Sequence, residues 1–165
     1  YGNVIGSRGS VIPFFMKKKS EGVLPITDER MTRFWITLDQ GVQFVIDSLT
    51  QMEGGEVFVP KIPSMGIMDV AKVVAPECET KVIGIRPGEK LHEVMITEDD
   101  SINTAEFENH FVIQPATDWW DQEAYIKRTG GKSVPQNFSY SSDNNTIWMS
   151  TAELETLLKK EEIEL

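Results

Sequence analysis

At 165 residues, with 40% hydrophobic and 25% charged side chains, the chain has ordinary globular composition and enough length for about one domain. Its net charge of -10 creates a field that repels a phosphate-rich polymer, which argues against nucleic-acid binding. The single cysteine, Cys78, excludes a disulfide framework or a cysteine-based zinc site and fits a reducing compartment; no apolar run approaches the ~20 residues that cross a bilayer.

In chain order, Tyr1-Gly-Asn-Val-Ile5 reads as the end of a strand. Gly6-Ser-Arg-Gly9 is a tight loop, and Ser10 is placed to cap a helix that carries Pro13 in its first turn, ends in Lys17-Lys-Lys19 and stops at Gly22. A chain that opens inside a strand and lacks an initial methionine is expected to be the C-terminal part of something longer. Thr37-Leu-Asp-Gln40 is a capping box, and Leu38, Val42, Val45 and Leu49 share one face, which predicts a helix over 38–52. Gly54-Gly55 breaks it and Glu56-Val-Phe-Val-Pro60 follows as a strand. Ile67, Val70, Ala71 and Val74 repeat the helical spacing up to Pro76, and Thr80–Arg86 is the next strand. This alternation predicts an α/β fold. Beyond residue 97 the pattern weakens. Phe111-Val-Ile-Gln114 reads as a strand, 128–146 as loop, and Ser150-Thr-Ala-Glu153 as a second capping box opening a terminal helix with Leu154, Leu157 and Leu158.

Arginine is scarce: Arg8, Arg30, Arg33, Arg86 and Arg128 are the five. Arg86 opens Arg86-Pro-Gly-Glu-Lys90 directly after a strand, where ligands of open α/β sheets gather. A guanidinium fork suits phosphate oxygens, and Glu89 could accept from the vicinal hydroxyls of a ribose. The same four residues are also a sound β-turn, and Arg33 alone reads as a surface ion-pair residue, so both readings stand at this point. His92 and His110 lack partners at metal spacing, and no metal site is expected. Trp119-Trp120 reads as core or contact surface; Asp99-Asp100 and Glu161-Glu162 read as solvated. No Ser-His-Asp triad or Walker loop is present. Tyr1 is not the tyrosine of a Tyr-x-x-x-Lys pair, since position 5 is Ile.

Taken together, Tyr1–Phe15, Ile26-Thr-Asp-Glu-Arg-Met-Thr-Arg-Phe-Trp-Ile36, Phe58-Val-Pro-Lys-Ile-Pro-Ser64 and Ile83-Gly-Ile-Arg-Pro-Gly-Glu-Lys-Leu-His-Glu93 resemble the inverting UDP-N-acetylglucosamine 4,6-dehydratases. These are extended short-chain dehydrogenase/reductases that begin pseudaminic acid biosynthesis. The likeness extends to Tyr140–Asn145. It implies the C-terminal, substrate-binding part of a Rossmann-type fold with most of the Rossmann domain absent. On that reading late Rossmann elements occupy about 1–22 and 37–60, and a small UDP-sugar domain about 23–36 and 61–165.

The resemblance assigns Asn3, Val11, Thr27, Arg33, Arg86 and Glu89 to the UDP-sugar pocket, with the two arginines on the UDP moiety and Glu89 near the ribose. It implies UDP-N-acetylglucosamine as partner, NADP as cofactor of the longer enzyme, a cytoplasmic location and a homo-oligomer. The implied reaction removes a hydride from C4 of the sugar, eliminates water across C5 and C6, and returns the hydride to C6 with inversion at C5. The Gly-rich fingerprint and the Tyr-Lys pair would lie upstream of Tyr1, so this chain is expected to hold no catalytic residue, to bind no cofactor tightly and to be inactive by itself. Two other readings remain: a capsule-type dehydratase/epimerase of the same substrate, and a nucleotide-sugar-binding module without catalysis.

Overall fold

The computed structural model describes residues 2–163, so Tyr1 and the argument about it lie outside the described residues. A short strand β1 (Asn3–Val4) leads through Gly6 and Gly9, both at positive φ, into α1 (Val11–Lys19). Strands β2 (Val23–Ile26) and β3 (Thr32–Ile36) precede α2 (Leu38–Gln51). Next come β4 (Val57–Pro60), β5 (Ser64–Gly66), α3 (Ile67–Val74) and β6 (Glu79–Val82). Then β7 (Val94–Ile96), α4 (Glu98–Ser101), β8 (Thr104–Glu106) and β9 (His110–Ile113) are followed by α5 (Gln122–Thr129). Strands β10 (Lys132–Ser133) and β11 (Tyr140–Ser141) and helix α6 (Thr151–Lys160) complete the order.

The chain divides into two compact units, one of residues 39–61 and 94–141, the other of residues 2–38, 62–93 and 142 onward. The latter contains a three-stranded sheet, β1-β3-β5, with β1 parallel and β5 antiparallel to β3. It also contains a parallel pair, β2 and β6. Helical spacing puts Ile12 and Phe15 of α1, Val70 and Val74 of α3, and Leu154 and Leu158 of α6 into one core with Leu24, Ile26, Trp35 and Met65. Full burial of each such side chain contributes ~1.5–3 kcal/mol. Asn145 closes the unit: its amide donates to the carbonyls of Ile62 (2.8 Å) and Ile147 (2.9 Å) and to Ser64 Oγ (3.0 Å). The end of the 128–146 stretch expected as loop is thus partly a buried clamp.

The other unit is an antiparallel sheet in the order β10-β8-β9-β4, plus the pair β11-β7. His110 of β9 stacks on Phe107, centroids 4.8 Å apart at 5°, and on Phe58 at 5.7 Å. Trp120 donates its indole N–H to Gln114 Oε1 (3.1 Å), whereas Trp119 is exposed.

The structure differs locally from the sequence expectations. The strand expected over 80–86 ends at Val82, because Gly84 at φ 89° turns the chain. The 128–146 loop contains two short strands and the end of α5, which Asp121 caps through a bond from the Ala124 N–H (2.9 Å). Asp100, expected to be merely solvated, completes a capping box with Thr97. At α1, Ser10 has the extended backbone of a cap, but its Oγ is buried with no hydrogen-bond partner. On α2 the apolar face of Leu38, Val42, Val45 and Leu49 is exposed, and the buried residue is Gly41.

Candidate functional site

Parallel pairing of β2 with β6 sets Ile26 beside Val82, so both strands end at the same edge. Thr27 leaves one end, and the segment leading to Arg86 leaves the other. That edge, the N-terminus of α1 and the end of β1 enclose a cavity of about 260 Å³. Its lining includes Asn3, Val11, Thr27, Arg33, Arg86 and Glu89. All six residues singled out in the sequence therefore share one hollow, although they come from five separated segments. Sequence reasoning missed its apolar wall: Phe14 and Phe15 of α1, Met31, and Ile67 at the start of α3. The only sequence signal for Phe14 and Phe15 was helical periodicity, which marks core and cavity walls alike.

Arg86-Pro-Gly-Glu89 is a real turn. The Glu89 N–H donates to the Arg86 carbonyl at 3.0 Å, and Gly88 sits at φ 82°, as the third position of a type II turn requires. The turn and ligand readings are compatible, because the turn aims the side chains. The Glu89 carboxylate accepts from the Thr27 hydroxyl (3.4 Å) and the Arg86 backbone N–H (3.3 Å). The Arg86 guanidinium is exposed and has no ion-pair or hydrogen-bond partner among the described residues.

Arg33 is held differently. Its Nη1 donates to the carbonyls of Thr32 (2.7 Å) and Leu91 (2.9 Å), and its Nη2 to that of Lys90 (2.7 Å) and weakly to Met31 Sδ (3.6 Å). Its Nε lies 3.5 Å from Glu93 Oε1. With its side chain only 12% exposed, Arg33 ties β3 to the segment that follows the Arg86 turn. It contributes positive potential to the cavity while its N–H groups face the protein. The N-terminus of α1 adds the positive end of a helix dipole at Val11. The cavity thus suits an anion, against the sign of the whole chain.

The remaining arginines lie elsewhere. Arg8 is exposed and does not line the cavity. Arg30 binds Asp28 through two nitrogens (3.0 and 2.8 Å) and holds that carboxyl down at about 2. Arg128 pairs with Glu53. Near the cavity, Thr32 Oγ1 lies 2.8 Å from His92 Nδ1 and 2.7 Å from Ser142 Oγ. Ser142 is fully buried, so this cluster is a clamp between segments and not a nucleophile. Among the described residues no group of three His, Cys, Asp or Glu could hold a metal, and no helix is long and apolar enough to cross a membrane.

The cavity of this α/β unit lies at the ends of two parallel strands, the place where open α/β sheets gather small ligands. Residues 1–115 match the family described as polysaccharide biosynthesis protein, and the chain belongs to that family. It is 56% identical over 160 residues to the UDP-N-acetylglucosamine 4,6-dehydratase (inverting) of Campylobacter jejuni, covering 93% of this chain and 48% of that protein. It is 32% identical over 163 residues to the UDP-glucose 4-epimerase of Rickettsia conorii, covering 96% of this chain and 47% of that one. The X-ray structure of Pen from Bacillus thuringiensis superposes with a TM-score of 0.80 at 31% identity, over 100% of this chain and 48% of that one. The fold is that of part of a short-chain dehydrogenase/reductase-type protein. The chain spans about half the length of the curated relatives it matches.

Proposed function

We propose that the cavity holds the uridine diphosphate of UDP-N-acetylglucosamine, as the substrate-binding half of an inverting 4,6-dehydratase, a lyase. The observation that carries this reading is the convergence of Asn3, Val11, Thr27, Arg33, Arg86 and Glu89 on one hollow. Arg86 presents its free guanidinium fork to phosphate oxygens in two-point geometry. Glu89, steadied by Thr27, accepts from ribose hydroxyls. Arg33 sets the potential and fixes the segment that carries both. Relatives with two different reactions share UDP in their names, which supports the diphosphate handle as the common ligand. At 260 Å³ the cavity is smaller than the ~300–1,000 Å³ that encloses a drug-sized ligand, so it takes one end of the nucleotide sugar. Binding energy from that remote handle positions the sugar for reaction.

The residues of this chain do not fit a dinucleotide: no Gly-x-Gly-x-x-Gly stands in the sequence. We therefore derive no hydride step through them, and assign NADP to the longer enzyme. Cytoplasmic pseudaminic acid synthesis and assembly into a homo-oligomer complete the reading. Calorimetry of UDP binding to the wild-type chain and to Arg86→Ala tests it. The reading expects Arg86→Ala to bind at least about tenfold more weakly; equal affinities would remove Arg86 from the site.

A further inference from the structure

We propose that the outer edge of β6 is a self-association surface, pairing antiparallel with β6 of a second copy about a two-fold axis at Thr80. Among the described residues β6 pairs with β2 alone. A two-stranded parallel sheet is an incomplete unit, because parallel strands are normally flanked and covered. All four residues of β6 are exposed. Val82 is 52% exposed, and Ile83 and Ile85, just beyond it, are each 47% exposed. By contrast Leu24 and Ile26 of β2 are buried in the core, so the pair is anchored on one side and open on the other.

The backbone groups at this edge follow from the ladder. The N–H groups of Glu79 and Ile83 donate toward β2, to Gly22 (3.0 Å) and Ile26 (2.8 Å). Alternation along the strand therefore turns the N–H and C=O groups of Thr80 and Val82 outward. An antiparallel partner centred on Thr80 would pair Thr80 with its own copy and bring the Val82 N–H to the partner's Cys78 carbonyl; the Cys78 N–H itself is bonded to the Ala75 carbonyl (3.1 Å) and takes no part.

Charge selects this register. The two-fold axis places Glu79 opposite the partner's Lys81, and Lys81 opposite the partner's Glu79. Both are non-hydrogen-bonded positions, where facing Cα atoms are only ~4.5 Å apart. Neither residue has an ion-pair partner among the described residues. Charged side chains usually guard an open edge against pairing; here the alternating signs are complementary to their own copy. The contact is isologous and closes at two copies. None of residues 79–85 lines the cavity, so the surface is independent of the ligand reading.

Sedimentation equilibrium on the full chain, with Glu79→Lys, Lys81→Glu, their equimolar mixture and the double variant, tests the proposal. The wild type is expected to dimerise. Each single variant opposes like charges twice and is expected to dissociate at least about tenfold more readily. The mixture and the double variant restore opposite charges and are expected to recover wild-type association. UDP affinity, measured in parallel, should not change in any of them. A wild type that stays monomeric at several hundred micromolar, single variants that associate as the wild type does, or a mixture that fails to recover would each overturn the proposal.

Discussion

Replacing Arg33 with alanine would remove the fastening between β3 and the Arg86 turn. Three backbone carbonyls, of Thr32, Lys90 and Leu91, lose a charged donor. Bonds to charged donors contribute about 1.5–3 kcal/mol each, but carbonyls freed at a partly open site regain water. Taking about 1 kcal/mol per bond gives a loss near 3 kcal/mol. The Leu91 carbonyl keeps its second donor, the Thr32 N–H at 3.3 Å, which trims this total. For a chain of this length the midpoint of thermal unfolding should fall by ~6–12 °C. Arg33→Lys should recover less than half, because one ammonium cannot reach carbonyls on both segments as a fork does. Arg86→Ala, whose guanidinium touches no described partner, should leave stability within about 0.5 kcal/mol of wild type, a midpoint shift of ~1–2 °C. Thermal unfolding of the three variants by circular dichroism reads the difference. If Arg33→Ala unfolds with the wild type, the fastening role is refuted.

Gly88→Ala forces a side chain onto a backbone at φ 82° with no atom within 4 Å; strain alone should cost ~1–2 kcal/mol and weaken UDP binding, and unchanged unfolding would contradict the turn assignment. Ser150→Ala removes the cap of α6 and should cost ~1 kcal/mol in chemical unfolding, whereas Ser10→Ala at α1, where Oγ has no partner, should be nearly neutral; equal losses would refute the distinction. The His110 ring is held below its ordinary pKa by burial and then by Lys61. The unfolded chain thus takes up that proton first, so stability is full above about pH 6.5 and falls as pH drops through the lowered value. Unfolding measured from pH 7.5 to 5 should steepen in wild type relative to His110→Phe, and parallel curves would contradict the assignment.

Helices α3 and α6 were legible because their apolar spacing repeats over about two turns or more, and Ser150-Thr-Ala-Glu153 caps as its spacing indicates. Of the strands, β1, β4, β6 and β9 were read at least in part, whereas β2, β3, β5, β7, β8, β10 and β11 were not, since period-2 alternation needs length. Helix α2 shows the limit of periodicity: the spacing of Leu38, Val42, Val45 and Leu49 identified the helix, but spacing says nothing of what covers a face. Singly, Arg86 and Glu89 were visible as a turn and Arg33 as a surface cation, while Asn3, Val11 and Thr27 were assigned to the pocket by the family resemblance. What brings them together is the parallel partnership of Val23–Ile26 with Glu79–Val82, which no local pattern encodes. Arg33 illustrates the remaining gap. Sequence identifies the cation; only the fold shows that its N–H groups are spent on carbonyls 57 and 58 residues away.

A crystal structure of the chain with UDP addresses the ligand assignment most directly. The diphosphate should lie within about 3 Å of the Arg86 guanidinium, with the ribose hydroxyls on Glu89. Density for the nucleotide on any other surface, with the hollow between α1 and the Arg86 turn left to solvent, would contradict it.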